Sequence, residues 1–142
     1  MTLREMQMLF AELAGRLPGQ ARALGFDGVT LGEAYRSDEQ AVINALGEQG
    51  RARLVAYLEQ RPEFHALALA IANNGKNNGI LLSVHRDRLA VDLNLFRGGQ
   101  WQSDGEVHRP LGEWWENQHE LRRWGGRFRD ANQYSLEFNG RK

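Results

Sequence analysis

Ser83-Val84-His85-Arg86-Asp87-Arg88-Leu89-Ala90-Val91-Asp92-Leu93-Asn94-Leu95-Phe96 is the stretch on which the fold turns. Leu89, Val91, Leu93 and Leu95 alternate with Ala90, Asp92, Asn94 and Phe96, the period of a strand with one face buried. Asp92 and Asn94 therefore share a face on which small or apolar residues would be ordinary, and His85 lies just before the strand. Gly98-Gly99 suits a turn into a second strand near residues 100–102, so a hairpin is expected.

Working outward, the amino-terminal side reads as mostly helical. Leu3, Met6, Leu9, Phe10, Leu13 and Leu17 recur at helical spacing, and Thr2 with Glu5 has the pattern of a capping box. Pro18-Gly19 is expected to kink or end this helix, with a further turn or two before Gly25. Residues 29–36 alternate as a strand would, with Val29, Leu31 and Tyr35 on one side. Ser37 and Gln40 repeat the capping pattern and open a helix through Leu46, followed by helices over 51–60 and 63–72. Residues 73–79, Asn-Asn-Gly-Lys-Asn-Asn-Gly, form a dense turn signal. On the carboxyl side Pro110 suits the first turn of a helix to about His119, with Leu111, Trp114 and Trp115 as buried candidates. A last strand spans residues 133–138, with Gln133, Ser135 and Glu137 on one face and Tyr134, Leu136 and Phe138 on the other. The expected fold is α+β, with helices packed on a small, mainly antiparallel sheet and the site on the opposite face.

Composition narrows the functional classes. A chain of 142 residues suits one domain, with a helical stretch over residues 51–74. Eighteen basic and eighteen acidic side chains give a formal charge of zero, so no global field recruits nucleic acid or an anionic membrane. No cysteine is present, which excludes disulfides, a thiol nucleophile and thiolate metal sites, and leaves His, Asp and Glu as metal donors. The first sixteen residues lack the apolar run of a secretory signal, and no stretch reaches transmembrane length. Synthesis in the cytoplasm and action as a monomer are the expectations.

Several polar residues stand where chemistry is possible. His85 and Asp92 make a His-x6-Asp pair able to share one metal if the chain turns between them; equally, Asp92 could serve the backbone and His85 a solvated loop. Arg36 follows the small residues Gly32 and Ala34, where its guanidinium could meet a carboxylate or an oxyanion, or form an ordinary surface ion pair. Asp130 precedes the last strand. The four tryptophans, Trp101, Trp114, Trp115 and Trp124, are read as structural anchors.

In order, these segments resemble the phage endolysins and D-Ala-D-Ala or L-Ala-D-Glu zinc peptidases of the hedgehog-like metallopeptidase fold (peptidase family M15). The segment from Ser83 to Phe96 resembles that family's Ser-x-His…Ala-x-Asp ligand segment, Gly32-Glu33-Ala34-Tyr35-Arg36-Ser37 its arginine segment, and Trp124-Gly125-Gly126-Arg127-Phe128 its approach to the last strand. The resemblance implies His85 and Asp92 as zinc ligands, Arg36 as the group that polarises the scissile carbonyl, and Asp130 as general base. It further implies a peptidoglycan stem peptide as substrate, reached after another factor releases the protein from the host cell. The family's Asp-x-x-His ending reads Asp130-Ala131-Asn132-Gln133 here, which puts a neutral, weak amide donor, Gln133, at the third zinc position. Three readings follow: a zinc peptidase of endolysin type; a non-catalytic descendant that binds or builds; or a site in which His65, His108 or His119 replaces the lost ligand.

Overall fold

A computed structural model describes residues 1–73 and 83–142, so all but Asn73 of the expected turn at 73–79 lies outside the described residues. The chain forms two compact units, one from Met1–Arg36 with Val84–Lys142 and one from Ser37–Ser83. The first holds helices α1 (Leu3–Ala14) and α2 (Leu17–Ala23), then strand β1 (Gly28–Leu31). The second holds α3 (Asp38–Ala45), α4 (Gly47–Leu58) and α5 (His65–Ala72). Back in the first unit follow β2 (Ala90–Arg97), β3 (Gln100–Trp101), α6 (Arg109–Glu116), β4 (Arg122–Trp124) and β5 (Gln133–Leu136). The architecture is α+β, with every strand pair antiparallel.

Local chemistry accounts for the helix ends. Thr2 Oγ1 accepts from Glu5 N–H while Glu5 Oε2 accepts from Thr2 N–H at 2.7 Å, closing the capping box that starts α1. Gly15 ends α1, and Pro18 sits in the first turn of α2, where its missing N–H costs no hydrogen bond. Pro18 thus starts a helix rather than ending one. Ser37 Oγ caps α3 as expected, accepting from Gln40 N–H at 3.1 Å. The helical segment expected at 51–74 belongs to the longer unit Ser37–Ser83, in which α4 begins at Gly47.

The sheet of the first unit runs β1-β2-β5-β4, with β3 beside β2 at its far end. Val91, Leu93 and Leu95 of β2, Tyr134 and Leu136 of β5 and Trp124 of β4 are buried in one core with Met6, Phe10 and Leu13 of α1 and Leu111 and Trp115 of α6. Register makes Val91, Tyr134 and Trp124 a row across that face, and it places Ala90, Ser135 and Arg123 in a row on the other. Arg122 is a buried cation on the core side. Its Nη1 donates to Trp115 O at 3.1 Å and its guanidinium lies 4.3 Å from a Trp115 ring centroid; burial and the charge of Arg16 pull it down to about 10, so it stays charged at neutral pH.

Three sequence expectations change, and one strand is new. The strand expected over 29–36 ends at Leu31, and Leu31 and Tyr35 are exposed, Tyr35 lying under the Arg88 guanidinium at 4.7 Å. The last strand ends at Leu136, and Phe138 forms an isolated bridge with Arg141. The face of β5 bearing Gln133 and Ser135 is buried, as is the Tyr134 and Leu136 face. Strand β4, three residues long, was too short to show a period.

Trp124 explains two glycines, and the Asp130 carbonyl a third. A Cβ at Gly112 of α6 would come 2.1 Å from Trp124 Cδ2, one at Gly126 would come 2.2 Å from Trp124 Cζ2, and one at Gly125 would come 1.9 Å from Asp130 O. The indole itself is fixed by Nε1 donating to Ala131 O at 2.7 Å. Helix propensity alone favours alanine at position 112 by about 1 kcal/mol. Overpacking against the ring outweighs that gain, so Gly112→Ala is expected to lower stability by about 1–3 kcal/mol, measured by thermal or urea unfolding. An unchanged or higher melting temperature would show that Trp124 does not occupy that position.

Candidate metal centre

β2 carries the site on its less apolar face. Asp92 is held by its backbone: its N–H donates to Glu33 O and its carbonyl accepts from Gly32 N–H, each at 2.7 Å. A Cβ at Gly32 would lie 3.2 Å from Asp92 Cβ, tighter than ordinary contact, so a residue without a side chain suits this approach. The turn before β2 brings in His85. Its carbonyl accepts from Arg36 N–H at 3.3 Å and Arg88 N–H at 3.2 Å, and Arg88 takes the left-handed conformation, φ 58°.

The imidazole of His85 is buried and stands between two carboxylates. Nε2 lies 3.2 Å from Asp92 Oδ1 and Nδ1 lies 3.6 Å from Glu33 Oε1. Glu33, His85 and Asp92 each offer one ligand atom within 4.8 Å of the others. Glu33 also forms an ion pair with Nη2 of Arg36, whose side chain is buried. Asp92 and Gln133 are cross-strand partners. The flanking bond, Leu93 N–H to Asn132 O at 3.0 Å, makes theirs a non-hydrogen-bonded pair, the kind with the closer side chains. Gln133 is buried, and its Nε2 donates weakly to Ser135 Oγ at 3.4 Å, which leaves Oε1 as its ligating atom.

This donor set fits a divalent cation. Asp92 Oδ1 is buried and faces an imidazole nitrogen, yet among the described residues it accepts no well-aligned hydrogen bond. A shared proton or a cation satisfies that arrangement, and an imidazole with carboxylates is a zinc-type set.

The sequence singled out five residues, and they are not equally close. His85 and Asp92 meet, Gln133 is the cross-strand partner of Asp92, and Arg36 is joined to the cluster through Glu33. Asp130 stands beside it: its carbonyl accepts from Gln133 N–H at 3.0 Å, and it lines the neighbouring cleft. Glu33 was missed because it precedes Arg36 in a segment read only for its arginine. The signal available was a carboxylate three residues from a buried arginine. His65, His108 and His119 are not members of the cluster. His65 Nε2 contacts Glu59 O at 3.0 Å, His119 Nδ1 accepts from Leu121 N–H at 3.1 Å, and His108 Nδ1 bonds the Tyr134 hydroxyl at 2.9 Å.

No family model matches the chain, and no curated protein matches it in sequence. Among solved structures it is similar to a mutant of the vancomycin resistance D,D-pentapeptidase VanY from a VanB-type resistance cassette, in complex with Zn(II). Identity is 22%, the TM-score is 0.44, and the match covers 89% of this chain and 70% of that one. The chemistry of the site rests on its own residues. Among the described residues no helix is long and apolar enough to cross a membrane.

His108 lines the cleft next to Asp130 and gives a pH signature. Burial pulls it from 6.5 down to about 4, and burial pushes its partner Tyr134 up, so both are neutral at neutral pH. Between those two values the unfolded chain binds a proton that the folded one does not. The stability is therefore complete above pH 6.5 and is lost as pH falls toward about 4. Melting temperatures across that window should fall more steeply for the wild type than for His108→Gln. Equal slopes would show that His108 titrates normally in the fold.

Proposed function

We propose that this protein is a zinc-dependent hydrolase of peptidoglycan stem peptides, of phage endolysin type. The reading has it work as a monomer on the cell wall, after another factor releases it from the cytoplasm where it is made. The observation that carries it is the meeting of His85 Nε2 and Asp92 Oδ1 at 3.2 Å, on a sheet face where Gln133 is the cross-strand partner of Asp92.

In this reading His85 Nε2, Asp92 Oδ1 and Gln133 Oε1 hold the ion. Glu33 faces the other ring nitrogen and orients the imidazole, the usual role of a carboxylate behind a ligating histidine. A bound zinc supplies Lewis acidity and lowers the pKa of a water molecule. Asp130 receives the proton of the attacking water at its carboxylate and returns it to the leaving amine. Arg36 is anchored by Glu33 through Nη2 and offers its other N–H groups to the carbonyl oxygen as charge develops there. The reaction is hydrolysis of an amide bond.

Gln133 decides how well this works, because an amide oxygen is the weakest donor of the set. Gln133→His should tighten zinc binding by orders of magnitude and create or greatly increase release of peptide from purified peptidoglycan. Glu33→Gln should weaken zinc binding by about 10–100-fold if Glu33 only orients His85. A loss as complete as that of His85→Ala would make Glu33 a ligand itself. If Gln133→His binds zinc and releases no peptide, the protein is a non-catalytic descendant. If neither form binds zinc, the metal reading is wrong.

A further inference from the structure

A cleft of about 530 Å³ opens beside the candidate centre, and its lining differs from what amide hydrolysis alone requires. It lies where β2 changes partners. On one side the last bond is Leu93 N–H to Asn132 O, and on the other the first is Gln102 N–H to Leu95 O at 2.9 Å. Asn94, Gln102 and Asn132 supply amides to its wall, and Trp101 supplies an indole. Trp101 pairs with Phe96 across the hairpin, which puts it on the face of β2 that bears Asp92 and Asn94.

Trp101 is the exception among the tryptophans. Trp115 and Trp124 are buried, whereas Trp101 is 60% exposed and packs into no core, contrary to its expected structural role. Two of the wall amides are held in place. Asn94 Nδ2 donates to Thr30 Oγ1 at 3.3 Å and Gln102 Nε2 donates to Gln100 O at 3.0 Å, so their carbonyl oxygens are the acceptors left over. The lining also carries the charged side chains of Asp104, Glu106, Arg129 and Asp130, and two of these carboxylates are engaged. Asp104 Oδ1 accepts from Glu106 N–H at 2.9 Å, and Glu106 is paired with Arg109 at 2.8 Å. A flat apolar ring beside fixed amides, with carboxylates further along the wall, is complementary to a sugar, which has a C–H face and a rim of hydroxyls.

We infer that this cleft is a carbohydrate subsite, in which Trp101 stacks on the pyranose of an N-acetylated amino sugar and Asn94 and Gln102 accept from its hydroxyl and amide groups. The inference deepens the proposed function and rests on it for the choice of sugar, since a stem peptide is presented on a glycan of such sugars. The stacking geometry does not need the metal.

The test uses metal-free full-length protein and the tetramer of N-acetylglucosamine as probe, with binding followed by calorimetry and by the indole N–H signals in NMR spectra. Wild type should bind, with the shifted signal assigned to Trp101. Trp101→Ala should lose at least about tenfold in affinity, a typical effect of truncating an aromatic anchor. Its melting temperature should stay close to wild type, because the side chain is exposed. Absence of binding to wild type, or equal binding by Trp101→Ala, overturns the inference. So does Trp101-dependent binding of lysine amide with none of the saccharide, which would make the cleft a cation site. Saccharide binding together with absence of zinc binding in both wild type and Gln133→His would sink the hydrolase reading and leave the subsite standing.

Discussion

Two backbone hydrogen bonds of 2.7 Å, one into and one out of Asp92, hold the candidate centre together. They tie Gly32 and Glu33 to the central strand just past the end of β1, where the regular ladder has stopped. The glutamate carbonyl is spent on Asp92, so its side chain is delivered beside His85 and Arg36. The second tether, Arg36 N–H to His85 O, fixes the same segment from the other end. Glu33 thus meets His85 and Asp92, more than fifty residues away in sequence, because its backbone pairs with that of Asp92. A side chain at position 32 would press on Asp92 and push the two segments apart.

The period of two on β2 separates stability from chemistry. Odd-numbered residues Val91, Leu93 and Leu95 enter the core, while Asp92 and Asn94 on the opposite face touch site and cleft. The core has polar members of its own: His108 bonds Tyr134, and Arg122 donates through Nη1 to Trp115 O and lies against its ring. Changes at Asp92 and Asn94 therefore reach the candidate centre and cleft with less effect on folding than changes on the core face. Arg36 departs from that rule, being buried and ion-paired, so its removal leaves Glu33 without that partner and costs stability.

The sequence showed those features that repeat or that punctuate. Alternation from Leu89 to Phe96 was long enough to fix strand and face, and the capping residues Thr2 and Ser37 marked helix starts that the structure keeps. Asp92 and Gln133 were placed on the site side by the same alternation, and pairing across the sheet then made them neighbours. Features that depend on tertiary contact were not legible. β4 is three residues whose side chains answer to Trp115 and Tyr134, not to a local period. Glu33 joins the centre through a backbone bond to a strand some sixty residues away, and no local spacing encodes that. Trp101 looked like its three counterparts because exposure, not identity, distinguishes it.

Glutamine at position 133 changes the strength of the donor set without changing its charge, since neutral imidazole and amide are both uncharged. The charge of the centre is set instead by Asp92 and by the Glu33–Arg36 pair, whose charges cancel. A divalent ion held by His85 and Asp92 thus meets one uncompensated carboxylate, and a guanidinium close by repels it. For Glu33 to bind that ion directly it would have to give up part of its contact with Arg36, freeing a buried cation next to a second one. The arrangement with Glu33 behind the imidazole avoids that cost, because the glutamate keeps Arg36 and faces Nδ1 while Nε2 faces Asp92. Arg36 is then restrained beside the centre by the same glutamate that faces the imidazole. Its ion pair with Glu33 is what would make one arginine compatible with a cation in the same small volume.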